Sequence, residues 1–197
     1  MNKITFTSFL TSNIDLDETL LAELTSNCQT RVYKKGTFLL KEGENCHASF
    51  FIEKGLVKQY GIDREGKEHI TQFAPEGWFV ADRDSLYFKT PSGSYIQAIE
   101  NTTTFIIDEY FIQKLAKIHP DFTEFNNKLL HNHIRQLTKR IYQLLSASAE
   151  ERYLSFTKTY PDVSLRVPQT MIASYLGITP ESLSRVRKAL AHKNFRK

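Results

Sequence analysis

The stretch Gln169-Thr170-Met171-Ile172-Ala173-Ser174-Tyr175-Leu176-Gly177-Ile178-Thr179-Pro180-Glu181-Ser182-Leu183-Ser184-Arg185-Val186-Arg187-Lys188 decides how the chain is read. Two short helices that cross steeply need a small residue where they touch, and Ala173 supplies it. The turn between them needs a residue tolerant of positive φ, and Gly177 follows four positions later. The second helix is announced twice. Thr179 is a good N-cap, and Pro180 takes the first helical position, where its missing N–H costs nothing. Leu183 and Val186, with Leu190 one turn on, form an inward stripe. The pattern predicts a helix-turn-helix.

Such a motif reads the major groove with the N-terminal part of its second helix. With the apolar positions inward, Glu181, Ser182, Ser184, Arg185 and Lys188 remain on the surface. Arg185 suits a bidentate contact to guanine O6/N7, and Glu181 suits acceptance from a cytosine amino group. Ser182 can reach a base or a phosphate. Arg187, Lys188 and Thr170 suit phosphate contacts, which position without specifying. With Gln169, Thr179 and Ser184, these residues form the predicted DNA-binding set. The plain alternative is a helical hairpin that only packs. Charge favours the DNA reading: from Glu151 onward nine Lys/Arg face three Asp/Glu, whereas the first 150 residues hold 17 basic and 19 acidic groups.

Working back from the motif, Pro120 opens a run free of Gly and Pro to about Ala149. Within it Leu130, Ile134, Leu137, Ile141 and Leu144 step by 4, 3, 4 and 3, the seam of a coiled coil. This predicts a dimer interface; packing on the chain's own β-domain would need the same stripe. Phe122, Phe125 and Leu129 broaden the apolar surface near the helix start.

From Arg31 to about Asp108, short β-rich runs alternate with glycines at 36, 43, 55, 66 and 77. Strands are expected at Phe50–Ile52, Leu56–Tyr60, His69–Phe73, Tyr95–Ile99 and Thr104–Ile107. The segment Asp63-Arg64-Glu65-Gly66-Lys67 reads as a hairpin loop. Ahead of these, Leu16, Leu20, Leu21 and Leu24 have helical spacing. The expected class is α+β: an antiparallel, jelly-roll-like β-roll over 1–119, a dimerisation helix over 120–149, and a helix-turn-helix domain over 150–197.

The order of these parts, and the string Ile172-Ala173-Ser174-Tyr175-Leu176-Gly177-Ile178-Thr179-Pro180-Glu181-Ser182-Leu183-Ser184-Arg185, resemble the Crp/Fnr regulators, relatives of the bacterial catabolite activator protein. The five roll glycines fit the family pattern, so the resemblance covers almost the whole chain. It implies a cytoplasmic bacterial transcription regulator, a homodimer on a two-fold-symmetric operator and, in many members, contact with RNA polymerase. It also implies base-reading roles for Glu181 and Arg185.

The chain departs from the family in two places. Cyclic-nucleotide binders carry Gly-Glu and, about ten residues on, Arg-Ser. Here Gly77-Trp78-Phe79-Val80-Ala81-Asp82 puts Ala81-Asp82 at the first pair, and Pro91-Ser92-Gly93-Ser94-Tyr95 supplies no arginine. A phosphate there loses its charge-assisted bonds, roughly 1.5–3 kcal/mol each, so cyclic AMP is not the expected effector. Arg83 lies nearby, but an adjacent helical position points elsewhere. A pocket would be lined by Phe79, Asp82, Arg83, Ser92, Ser94 and Tyr95; its effector is unassigned. The second departure is at the end. Seven residues after Leu190 are too few for a two-stranded wing, so a reduced wing is expected. A strand is expected at Ser164–Val167, with Lys193, Arg196 and Lys197 contacting phosphate in the wing's place.

Other classes fit poorly. Apolar residues make up 41% of the 197, and no run approaches the ~20 needed to cross a bilayer. The first residues lack the apolar core of a secretory signal. Cys28 and Cys46 are too few for an iron–sulfur cluster and too far apart to suggest a disulfide framework. His131 and His133, two apart on a helix, face different ways, and no metal site is expected. A cupin-type metalloenzyme would need several roll histidines, and only His47 and His69 lie there; no enzyme is expected. The remaining alternative is a cyclic-nucleotide-binding signalling module whose tail contacts protein rather than DNA.

Overall fold

Strand β3 (Ala48–Lys54) shows how the N-terminal part is built. Its Phe50 and Ile52 enter one apolar cluster and Phe51, between them, enters another, so both faces are covered. A continuous apolar run is what such a doubly buried strand requires. In the computed structural model, which describes residues 4–25 and 28–195, the chain divides into two compact units. One comprises the chain through Gly61 with Gln72–His131, and the other Ile62–Thr71 with the chain from Asn132 onward.

The strands β1 (Thr30–Tyr33), β2 (Phe38–Leu40), β3, β4 (Val57–Ile62), β5 (Glu68–Ala74), β6 (Phe79–Val80), β7 (Tyr95–Ala98) and β8 (Thr102–Asp108) form two four-stranded sheets. Their orders are β1-β8-β3-β6 and β2-β7-β4-β5. β8 pairs antiparallel with β1 and β3, β6 with β3, and β7 with β2 and β4, Phe51 opposing Phe105 and Gln59 opposing Ile96. Leu40, Phe50, Ile52, Val57, Val80, Leu86 and Ile96 fill the interior of the roll. On the other face of the first sheet, Phe51, Phe105 and Ile107 pack with Phe6 and Leu10 of α1 (Phe6–Thr11), Leu21 and Leu24 of α2 (Glu18–Thr25), and Phe111 and Leu115 of α4 (Glu109–Ile118). The α1 helix, not anticipated from sequence, is held by a capping box between Thr5 and Ser8 and by Glu53, which accepts from the Phe6 amide at 3.0 Å. At Gly55 the roll closes so tightly that an added Cβ would lie 2.7 Å from the Asn101 carbonyl oxygen, at φ +94°.

The long helix α5 runs Pro120–Ser146, beginning at the expected proline. The second unit contains most of it, followed by α6 (Ala149–Thr159), α7 (Val163–Arg166), α8 (Gln169–Leu176) and α9 (Pro180–Phe195). Ser148 and Glu151 form the capping box that starts α6, a helix absent from the sequence reading.

The segment Ser164-Leu165-Arg166-Val167, expected as a strand, is mostly helix: α7 takes in Ser164, Leu165 and Arg166, and Val167 is its C-cap. Apolar Leu165 and Val167 alternate with polar Ser164 and Arg166, as in a strand. A spacing of four also returns to the same face of a helix. Val163 and Val167 are buried and Leu165 is exposed, as a helix places them; a strand would put all three on one face. Pro161 before the helix and Pro168 after it confine the segment to a single turn.

Candidate nucleic-acid interface and the roll interior

The helix-turn-helix is assembled as its sequence requires. Ala173 is fully buried where α8 meets its neighbours, and Gly177 ends α8 in the left-handed region at φ +65°. Its amide donates to the carbonyls of Ala173 and Ser174. The Thr179 hydroxyl accepts from the Ser182 amide at 3.2 Å, satisfying one of the free donors at the start of α9. Leu183 is fully buried, and Val186 and Leu190 are half-buried on the same side.

Glu181, Ser184, Arg185 and Lys188 are exposed and spaced by 3, 1 and 3, so they share the opposite face of α9. Ser182 and Arg187 flank that face. Arg185 donates to the Ser182 hydroxyl at 3.1 Å, which holds the guanidinium over the first turn. The Glu181 carboxyl is held below its ordinary 4.5, first by its own backbone amide, then by the Thr179 hydroxyl and the Arg185 charge. An ionised acceptor and a fixed guanidinium therefore stand side by side at the helix start. Gln169, Thr170 and Thr179 are also exposed, the first two in the opening turn of α8. Lys193 pairs with Glu150 at 2.7 Å. Arg196 and Lys197, expected as phosphate contacts, lie outside the described residues.

On α5 the seam residues stand out from the chain: Leu130, Leu137 and Leu144 are about 40% exposed, Ile134 48% and Ile141 59%. Helix-borne leucine and isoleucine in such a row make a continuous apolar strip.

In the roll, Asp82 is the N-cap of α3 (Arg83–Phe88) and accepts from the Ser85 amide at 3.1 Å. Its other oxygen accepts from the hydroxyls of Ser92 (2.7 Å) and Ser94 (2.8 Å), and Ser94 also accepts from Gln59 at 3.0 Å. Burial pushes the Asp82 carboxyl up. The bonds from Ser92, Ser85 and Ser94 outweigh that and hold it below its ordinary 3.8. Ser85 in turn accepts from the Cys46 amide at 2.8 Å.

The structure thus brings together Asp82, Ser92 and Ser94 of the sequence-derived pocket set. Tyr95 lies on the opposite face of β7 from Ile96, stacked on Tyr60 at 5.2 Å, and its hydrogen bond to Glu42 raises its pKa. Phe79 lies in the aromatic cluster with Phe6, Phe9 and Phe51. Arg83 is half-buried at the start of α3. Sequence reasoning did not single out Gln59 or Ser85. Cys28 and Cys46 are free thiols, and among the described residues no three His, Cys, Asp or Glu side chains cluster as metal ligands. No helix among them is long and apolar enough to cross a membrane.

Residues 30–119 match the cyclic nucleotide-binding domain. Among curated proteins the chain is 27% identical over 164 residues to electron transport regulator A of Shewanella oneidensis, and 27% identical over 168 to the fumarate and nitrate reduction regulatory protein of Vibrio cholerae. Each alignment takes in 78% of this chain and 65% of the relative, so the chain spans about two thirds of those proteins' length. Among solved structures, FixK2 from Bradyrhizobium japonicum superposes with a TM-score of 0.72 at 20% identity, covering 85% of this chain and 86% of that one. A CooA variant from Carboxydothermus hydrogenoformans superposes with a TM-score of 0.70 at 20% identity, covering 91% and 86%. Over residues 30–119 the chain thus carries a cyclic nucleotide-binding domain, and along most of its length it is similar to the two curated regulatory proteins.

Proposed function

We propose that the chain is a sequence-specific DNA-binding transcription regulator that occupies a two-fold-symmetric operator as a homodimer. The observation that carries this reading is the outer face of α9. Glu181, Ser184, Arg185 and Lys188 are presented together on a capped helix whose inner face is anchored by Leu183. Arg185 and Glu181 read base edges, while Gln169, Thr170, Thr179, Arg187 and Lys188 fix the register on phosphates, with Ser182 and Ser184 between the two roles. The exposed seam Leu130, Ile134, Leu137, Ile141 and Leu144 supports dimerisation through α5, since a second copy would cover it. In this division of labour residues 1–119 are the sensor, 120–149 the dimerisation helix and 150–197 the DNA-binding domain. The protein works in the cytoplasm, contacts RNA polymerase when it activates, and performs no catalysis.

The Asp82 cluster argues against an anionic effector. A carboxylate held ionised by two hydroxyls and an amide presents negative charge where a cyclic phosphate would need a cation. The test is binding of duplex DNA across a salt series. Lys188→Ala weakens binding to all sequences alike and reduces the slope of log K against log salt by about 1. Arg185→Ala costs about 1–3 kcal/mol and relaxes preference at one base pair. Salt-independent association, or unchanged sequence preference in Arg185→Ala, contradicts the assignment and favours a tail that contacts protein.

A further inference from the structure

The hairpin 62–71 belongs to the same compact unit as α6 to α9 and most of α5. Its turn is tied by Asp63, which accepts from the amides of Glu65 (2.9 Å) and Lys67 (3.0 Å) and pairs with His69 at 2.6 Å. It leads into β5, the last strand in its sheet, whose outward backbone groups need partners. In an extended strand the carbonyl of one residue and the amide two residues on point to the same side. One hydroxyl serves both here: Ser174 of α8 donates to the Glu68 carbonyl at 2.7 Å and accepts from the Ile70 amide at 3.1 Å. Arg140 of α5 completes the edge. Its Nη2 donates at 2.9 Å to the carbonyls of both Ile70 and Tyr175, and its guanidinium lies 3.6 Å from the centre of the Tyr175 ring. That ring packs in turn on Phe156 and Tyr160 of α6, at 5.4 and 5.6 Å.

Three separate segments therefore converge on Ser174-Tyr175, two residues before the left-handed turn at Gly177 from which α9 departs. We propose that Arg140 and Ser174 are positioning residues for DNA recognition: they clamp α8 to the 62–71 hairpin and so set the pitch at which α9 meets the groove. This rests on the DNA-binding reading. Neither residue lies on the face formed by Glu181, Ser184, Arg185 and Lys188, so neither contributes a base or phosphate contact. A small misplacement of a rigid reading element is costly, because paired contacts are lost together. The clamp is joined by side chains about 70 and 104 positions from the backbone they bind, and the Arg140 contact uses both hydrogen bonding and stacking.

The test uses the full chain and a duplex selected by the wild-type protein, measured beside a scrambled duplex. Ser174→Ala is expected to weaken binding to the selected duplex about tenfold, or about 1.4 kcal/mol, while binding to the scrambled duplex and the salt slope stay at wild-type values. Ser174→Thr, which keeps the hydroxyl, restores affinity. Arg140→Met behaves like Ser174→Ala, and Arg140→Lys provides the same reading if the methionine variant does not fold. Folded variants that bind the selected duplex as the wild type does overturn the proposal. So does an equal loss on both duplexes, or a salt slope reduced by about 1 in Arg140→Met, which would make Arg140 a phosphate contact. A wild-type chain that binds no duplex overturns the DNA-binding reading itself and this inference with it.

Discussion

Replacing Asp82 by alanine tests the organisation of the roll interior. The carboxylate accepts three hydrogen bonds, from the Ser85 amide and the Ser92 and Ser94 hydroxyls. Loss of the cap on α3 costs about 1 kcal/mol. The hydroxyls keep other partners: Ser92 can turn its one hydrogen to the Ser94 carbonyl, and Ser94, though it loses its acceptor, still accepts from Gln59. Each of those two bonds is therefore worth about 0.5–1 kcal/mol rather than the full charged value. The expected total is about 2–3 kcal/mol, against about 1 for Asp82→Asn, which retains a capping oxygen. Trp78, the single tryptophan, packs on the roll interior, so its fluorescence during urea unfolding of the full chain reports this transition. Asp82 is held below its ordinary 3.8 in the folded chain, so its stabilisation is complete above that value and drains away as pH falls through the folded pKa. The gap between wild type and Asp82→Ala should narrow in that acid window. A difference under about 0.5 kcal/mol at neutral pH, or one unchanged across the window, would refute the view that the ionised carboxylate organises this cluster.

Gly55→Ala should prevent the roll from closing. A positive-φ alanine costs about 1–2 kcal/mol, and the Cβ would meet backbone 2.7 Å away; a urea midpoint within error of wild type would contradict this. Leu137→Ser with Ile141→Ser should turn a dimer into a monomer in sedimentation without lowering chain stability, since both are about half exposed in the single chain. Leu183→Ala, emptying a fully buried position, should destabilise the helix-turn-helix by about 2–5 kcal/mol, read by amide exchange in α8 and α9.

The sequence made some of this arrangement legible and concealed the rest, for identifiable reasons. The turn at Gly177, the cap at Thr179 and the inward Leu183 were readable because each depends on residues within a few positions. Five of the eight strands, β3, β4, β5, β7 and β8, were readable from apolar runs between glycines, whereas the short β1, β2 and β6 were not. Of the pocket residues expected from sequence, Asp82, Ser92 and Ser94 meet through hydrogen bonds, whereas Phe79 lies in the aromatic cluster and Tyr95 stacks on Tyr60, partners that no local pattern announces. The capping box Ser148-x-x-Glu151 was a local signal for α6 that went unused. Helix α7 was hidden because Val163 and Val167 share a face in both strand and helix. The Ser174 and Arg140 contacts had no local signal at all; they join residues about 100 and 70 positions apart, and no pattern in the chain announces such a meeting.

The most direct measurement is selection of bound sequences from random duplex DNA by the purified full chain. The account predicts enrichment of a two-fold-symmetric site with half-sites about one helical turn apart, 10–10.5 base pairs centre to centre. Recovery of unenriched sequence, with no salt-dependent affinity for any duplex, would contradict it.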